Sequence, residues 1–112
     1  AVKVHSTLGP GLLEHVYEIA LSHELTKRGF SCQRQVKIPI RYDGILFDEG
    51  FTADLIVNDL VIIELKSVKD LNEVHKKQLM TYLKLADKKL GLLINFNESL
   101  LKHGLKRIVN NL

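Results

Sequence analysis

The chain has 112 residues, 46% of them hydrophobic and 26% charged, which is the balance of an ordinary soluble globular protein. This length fits one domain over residues 1–112, and no apolar run approaches the roughly 18 residues of a membrane span, so the composition excludes a multidomain chain and a membrane-spanning one. The formal net charge of +3 permits a polyanionic partner without identifying one, and the single cysteine excludes an internal disulfide and favours the cytoplasm.

The first predicted element is a helix over residues 10–28. Pro10 suits a first helical turn, and Gly29 follows two basic residues as a stop signal. On a helical wheel the apolar arc contains Leu13, Val16, Tyr17, Ala20 and Leu21. Glu14 lies at the edge of that arc, so it is either a solvated boundary residue or a half-buried carboxylate aimed into a site.

After Gly29, apolar and polar residues alternate with a period of two, which is the pattern of a strand and not of a helix. Apolar residues on one side of the first strand are Val36, Ile38, Ile40 and Tyr42. Asp43-Gly44 is a strong hairpin turn signal, and residues 45–47 are predicted as a short return strand. Two further strands, over residues 50–57 and 60–67, are predicted to run antiparallel to each other at the centre of the sheet.

The register of these two central strands decides whether they can form a site, because a slip of one residue exchanges the two faces. A two-residue turn would set Asp54 opposite Ile63, on the other face from Glu64. A three-residue loop, residues 58–60, sets Asp54 directly opposite Glu64. We predict the second register, since it also collects apolar side chains on one face: Ala53, Leu55, Val57, Val61, Ile63 and Leu65.

The strand over residues 60–67 is apolar except for Glu64 and Lys66, which alternation places on the same face. An isolated Glu-x-Lys is most often a surface ion pair. Carboxylates that face each other, as predicted for Asp54 and Glu64, repel unless a cation lies between them. Such oxygen ligands suit Mg²⁺ or Mn²⁺, with the backbone carbonyl of Leu65 as a further ligand. With Lys66 orienting a water, the pattern predicts phosphodiester hydrolysis.

A second helix is predicted to follow a cap at residues 70–72 and to end near Ala86. Its apolar stripe on the wheel contains Leu71, Val74, Gln78, Tyr82 and Leu85. Gln78 and Tyr82 are therefore predicted in the middle of the buried face. A buried amide and phenol need partners, which are either the backbone and core or a site.

The last predicted elements are an apolar strand over residues 89–96 and a helix over residues 98–110. A strand, helix and strand in this order imply a right-handed crossover, so the last strand is expected to lie parallel to the Glu64 strand. The final helix is expected to close the sheet with Leu101, Leu105, Ile108 and Val109. The predicted fold class is α/β, in the sense of an α+β mixed sheet.

Motifs in separate elements resemble those of the GxxExxY proteins, a small branch of the PD-(D/E)XK nuclease superfamily. The name-giving motif matches residues 11–17, and the central superfamily motif matches Asp54 and residues 64–66. Residues 78–82 are similar to the QxxxY motif of RecB-like nucleases. The resemblance covers almost the whole chain and implies a restriction-endonuclease-like αβββαβ core, here with a C-terminal helix. The chain opens without a Met, so we expect that a preceding segment is missing.

The same resemblance implies roles for individual residues. It implies metal-site carboxylates on Glu14, Asp54 and Glu64, beside the Leu65 carbonyl, and a catalytic lysine, Lys66. Gln78 and Tyr82 would contact the substrate. The expected function is Mg²⁺- or Mn²⁺-dependent hydrolysis of nucleic acid, with DNA the expected substrate. The alternative is a non-catalytic module that binds nucleic acid or a protein partner on the same fold, and the oligomeric state stays open, a dimer included.

Overall fold

Five strands form one mixed sheet whose spatial order follows the chain, with helices on both faces. The computed structural model describes residues 1–111. Within this range the elements are α1 (Val2–Leu8), α2 (Glu14–Lys27), β1 (Cys32–Tyr42), β2 (Ile45–Val57), β3 (Val61–Lys66), α3 (Glu73–Ala86), β4 (Leu90–Asn95), a 3₁₀ turn (Leu101–His103) and β5 (Leu105–Val109). None of these helices combines the length and apolarity that a membrane crossing requires.

The α+β mixed sheet and the αβββαβ order are confirmed. Strands β1, β2 and β3 form an antiparallel meander, and α3 connects β3 to β4, which pair in parallel as the crossover predicts. The α3 helix begins after Asn72, whose side chain accepts from the His75 backbone N–H while His75 Nδ1 accepts from the Asn72 N–H. This reciprocal cap explains why the helix bounds match the expected ones.

The first hairpin is longer than expected. The turn at Asp43 and Gly44 is confirmed, but residues 45–47 are not a separate strand, because β2 runs without interruption from Ile45 to Val57. A bulge between Ile38 and Ile40 absorbs the mismatch between the two strands. Gly50 lies at this bulge, where a Cβ would collide with the Ile38 carbonyl oxygen, so a glycine lets the backbones approach.

The predicted register between β2 and β3 is confirmed. Val57 pairs with Val61, and Leu55 pairs with Ile63. The loop between them contains Asn58 and Asp59 with φ of 53° and 55°, a left-handed conformation that these residue types tolerate. Asp54 and Glu64 are the next residues along the two strands after the Leu55–Ile63 pair.

Two buried clusters lie on opposite faces of the sheet. The cluster between the sheet and helices α1 and α2 contains Val4, Tyr17, Leu21, Leu55, Val57, Ile63, Leu65, Ile94, Phe96 and Leu101. The cluster between the sheet and α3 contains Ile38, Ala53, Ile56, Ile62, Leu79, Leu83 and Leu93. The expectation that Ala53 shares a face with Leu55 is therefore wrong. Asp54 is absent from both neighbouring ladders, and the side-chain alternation is interrupted there.

The α2 helix starts later than the predicted residue 10. Gly9 and Gly11 have φ of 76° and 92°, so the segment around the intervening proline cannot be helical. The Tyr17 hydroxyl donates to the Gly9 carbonyl oxygen at 2.6 Å and accepts from the Leu12 N–H at 3.0 Å. The tyrosine of the predicted motif thus holds the loop before its own helix.

The buried face of α2 also differs from the wheel. Tyr17, Glu18 and Leu21 are buried, whereas Leu13 is 75% exposed. Because the helix starts at Glu14, Leu13 is its cap and not part of the apolar face. In front of α2, the unpredicted helix α1 is joined to the segment that follows β4 by His5, whose Nε2 donates to the Glu98 carbonyl oxygen at 2.7 Å.

The α3 helix is rotated relative to its predicted apolar stripe. Leu79 and Leu83 are its buried residues, and Gln78 is exposed, so the placement of Gln78 in the buried stripe is wrong. Gly91 on β4 explains the rotation, since a Cβ there would lie 3.0 Å from Leu79 Cγ. The glycine leaves room for Leu79, and this contact turns Gln78 toward solvent.

The predicted C-terminal helix over residues 98–110 is wrong. The chain forms the 3₁₀ turn and then β5, which pairs antiparallel with β4. Gly104 permits the close approach, because a Cβ there would meet the Asn95 carbonyl oxygen. Without β5 the buried strand β4 would have an unpaired edge, and that requirement outweighs the helical spacing of the apolar residues.

Candidate active site

Asp54 and Glu64 are joined by hydrogen bonds between β2 and β3, at the end of the hairpin away from its loop. Asp54 Oδ2 accepts from the Leu65 N–H at 2.8 Å, and the Asp54 N–H donates to Glu64 Oε1 at 3.2 Å. Each carboxylate is therefore held by the backbone of the opposite strand. The three-residue loop and the register that follows from it bring these two acids together.

Glu64 is only 7% exposed and lies next to a second carboxylate. Burial, followed by the charge of Asp54 and a side-chain hydrogen bond with it, raises the pKa of Glu64 to about 9, while Lys66 opposes this rise. In the metal-free protein Glu64 is thus protonated at neutral pH. This is the state expected of two carboxyl groups that share one buried position without a cation.

Lys66 lies two residues after Glu64, at the end of β3, and is half-buried. It forms no salt bridge with the side chains that the structure describes, so the simple Glu64–Lys66 surface ion pair is not formed. The ammonium lies close enough to His75 to lower the pKa of that imidazole, after the larger effect of burial. Lys66 is therefore left without a fixed anionic partner beside the two acids.

His75 is a neighbour of the site that sequence reasoning missed. Its Nδ1 accepts from the Asn72 N–H at 3.1 Å, so the cap orients the imidazole at the first turn of α3. In the neutral ring the hydrogen then resides on Nε2. The spacing of Asn72 and His75, which places a histidine at the third helical position after a capping residue, is the signal that identifies it.

Tyr82 lies on the α3 face toward the acids, whereas Gln78 is exposed on the same helix. The Tyr82 ring packs against Phe51, with ring centroids 4.6 Å apart. Burial first, and then the charges of Glu64 and Asp54, raise the pKa of Tyr82, so its hydroxyl stays protonated. The helix presents a phenol donor near the carboxylates but does not bury Gln78 with it.

Glu14 lies half-buried in the first turn of α2. The structure does not place it with Asp54 and Glu64, because residues 1–111 contain no group of three or more His, Cys, Asp or Glu side chains arranged to hold a metal. The α2 carboxylate that is linked to Asp54, through the Gln35 side chain, is Glu18, one turn further along.

Glu18 was missed because it falls outside the predicted motif. It is 2% exposed, Arg34 contacts its Oε2, and Gln35 Nε2 donates to its Oε1. Gln35 Nε2 also lies 3.5 Å from Asp54 Oδ1. The available signal was the position of Glu18 four residues after Glu14, on the same side of the helix.

The donor set around Asp54 and Glu64 fits a hard divalent cation. Mg²⁺ binds proteins through one or two carboxylates and keeps several waters. Asp54 Oδ1 receives only the long contact from Gln35, and the described hydrogen bond to the Glu64 carboxylate uses Oε1. Asp54 Oδ1 and the second Glu64 oxygen take no part in the backbone hydrogen bonds between the two strands, so a metal ion held by these oxygens would leave those bonds in place.

Comparison with known proteins adds one finding. A family model described as the PD-(D/E)XK nuclease superfamily matches residues 1–108. No curated protein and no solved structure gives a significant match to the chain.

Proposed function

Because the chain belongs to the PD-(D/E)XK nuclease superfamily, we propose that it is a metal-dependent nuclease that hydrolyses phosphodiester bonds of DNA. Its mixed αβββαβ sheet is consistent with the restriction-endonuclease-like fold. The observation that carries the proposal is the pairing of Asp54 with Glu64 beside Lys66 at one end of the β2–β3 hairpin.

Asp54 and Glu64 would hold Mg²⁺ or Mn²⁺, with the Leu65 carbonyl as a further ligand. The ion, when bound, stabilises negative charge on the phosphate and lowers the pKa of a water. Glu64 must release its proton for this, so metal binding and deprotonation of Glu64 are linked. Glu14 is not part of this proposal, because it is not grouped with the other two acids.

Lys66 and α3 would act on the substrate. The Lys66 ammonium orients the attacking water and stabilises charge on a phosphate oxygen, which a cation without a fixed partner can do. Tyr82 donates its hydroxyl hydrogen toward a phosphate or base. Gln78, exposed on the same helix, contacts the substrate further from the reacting bond.

Two substitutions separate chemistry from metal binding. Lys66→Ala should abolish cleavage with little loss of metal affinity, because a protonated lysine has no lone pair for a metal. Asp54→Asn should abolish both, because it removes a ligand charge. Metal affinity is measured by calorimetry, and cleavage is measured on labelled single- and double-stranded DNA and RNA with Mg²⁺ or Mn²⁺.

The matched controls are Lys69→Ala and Asp70→Asn, which change exposed residues just beyond β3. Both should bind metal and cut like the wild type, and circular dichroism checks that all four variants fold. Normal cleavage by Lys66→Ala contradicts the proposed mechanism. If the wild type binds nucleic acid but cuts nothing with either metal, the chain is instead a non-catalytic binding module.

A further inference from the structure

Asp54 receives hydrogen bonds from the strands on both sides of it. Its Oδ2 accepts from the Leu65 N–H of β3 at 2.8 Å, and its Oδ1 lies 3.5 Å from Gln35 Nε2 of β1. One donor for each oxygen, approaching from opposite sides, restricts rotation of the carboxylate. The backbone donor belongs to the site already described, whereas Gln35 has no role in it.

Gln35 is itself held by a buried carboxylate. A side-chain amide has two N–H donors on one nitrogen, and Gln35 directs this nitrogen to both Glu18 Oε1 and Asp54 Oδ1. The charge of Glu18, at 2% exposure, requires compensation. Arg34 supplies it, since its Nε and Nη2 lie 3.0 and 2.9 Å from Glu18 Oε2. Arg34 thus takes one oxygen of Glu18 and leaves the other for Gln35.

A local distortion of the β1 backbone lets both Arg34 and Gln35 contact Glu18. Consecutive residues of a regular strand point to opposite faces, yet Arg34 and Gln35 both contact Glu18. Gln35 has a φ of 51°, a left-handed conformation that non-glycine residues rarely adopt. This local distortion turns the two side chains to the same partner. Such conformations persist where surrounding contacts over-determine them, and they concentrate at functional sites.

We propose that Gln35 is a positioning residue that orients the Asp54 carboxylate for divalent-metal binding, with Glu18 and Arg34 as its anchor. The inference rests on the proposed metal site at Asp54 and Glu64. Partners that hold a metal ligand by hydrogen bonds tune metal affinity by about 10- to 100-fold when they are removed. Loss of the Gln35 amide should weaken metal binding within that range.

The test compares two variants with a control on the same strand. Gln35→Leu removes the amide, and Gln35→Asn keeps an amide that is too short to span Glu18 and Asp54 while tolerating a positive φ. Gln33→Leu makes the same change at an exposed glutamine two residues away, outside the network. Mg²⁺ and Mn²⁺ affinities are measured by calorimetry, and kcat is measured at increasing metal concentration.

Both Gln35 variants should bind metal about 10- to 100-fold more weakly than the wild type and Gln33→Leu, and their kcat should recover at saturating metal. Because metal that binds only the folded state would also rescue a destabilised fold, recovery indicates lost positioning only if both variants match the wild type in circular dichroism and urea denaturation without metal. Wild-type affinity in both Gln35 variants overturns this inference alone. If the wild type itself binds neither metal, the proposed function fails and the inference fails with it.

Discussion

The protonation of the Glu64 carboxyl group should make the stability of the metal-free protein depend on pH. Its pKa in the folded protein is raised from an ordinary value of 4.5 to about 9 by burial and by Asp54. Such a group binds its proton more tightly in the folded protein than in the unfolded chain. Its contribution to stability is therefore complete at a pH below the pKa of the unfolded chain, and it is lost as the pH rises to the pKa of the folded protein. The free energy of unfolding of the metal-free protein should therefore contain a term that decreases between about pH 5 and 9.

The check is urea denaturation across this pH range without divalent metal, for the wild type and for Glu64→Gln. The variant carries no ionisable group at position 64, so its stability should fall less steeply with pH. Parallel pH profiles for the two proteins would contradict the assignment of the slope to Glu64.

Metal binding should depend on pH because it requires the loss of the Glu64 proton. Because Glu64 must be deprotonated to serve as a ligand, metal affinity should rise with pH below about 9, by up to about tenfold per pH unit. Calorimetry at pH 7 in buffers with different ionisation enthalpies should show that close to one proton leaves for each ion bound. An affinity that does not change between pH 6 and 8 would exclude Glu64 as the coupled group.

Tyr17 holds the loop before α2 through its hydroxyl. Tyr17→Phe keeps the ring, which stacks on Phe96 at 4.3 Å, but removes the bonds to Gly9 and Leu12. We expect a loss of about 1–3 kcal/mol in the free energy of unfolding, because two hydrogen bonds worth roughly 0.5–1.5 kcal/mol each are removed. Urea denaturation measures it, and Tyr42→Phe, at a ring that is 73% exposed, should show no change. Equal stability of the two variants would show that the hydroxyl is not structural.

The docking of α3 depends on the space above Gly91. A Cβ there would already lie 3.0 Å from Leu79, so Gly91→Val forces the helix away from β4 and should cost about 1–3 kcal/mol in urea denaturation. Leu79→Ala removes the opposing atoms, so adding Gly91→Val to it should cost less than adding it to the wild type. Strict additivity of the two changes would mean that position 91 does not set the packing of α3.

The last strand, β5, completes the sheet beside β4. Its Leu105 and Ile108 pair with Ile94 and Gly91, and its backbone satisfies one edge of a strand that is otherwise buried. Removing residues 105–112 should leave a chain that aggregates or fails to fold, because β4 would have an open apolar edge. Removing residues 111–112 alone should leave a soluble, folded protein. A soluble folded product of the longer truncation, assessed by gel filtration and circular dichroism, would contradict this role of β5.

The register that joins Asp54 to Glu64 could be predicted because it depends on local information. A loop length and the alternation of apolar residues over about ten positions determine which side chains face each other. The start of α3 was predictable for the same reason, since the Asn72 cap acts within one turn. The positions of Glu64 and Lys66 on one face also follow from a strand period of two.

Sequence patterns were thus enough to predict the two hairpin turns, the parallel crossover and the two acids that face each other. Three features depend on the folded chain: which helix faces are buried, the strand over residues 105–109, and the link from Glu18 to Asp54 through Gln35. These features could not be predicted because the contacts behind them are long-range. Leu79 against Gly91, β5 against β4, and Glu18 against Arg34 and Gln35 join residues that are distant in the chain, and such contacts form only when whole elements dock.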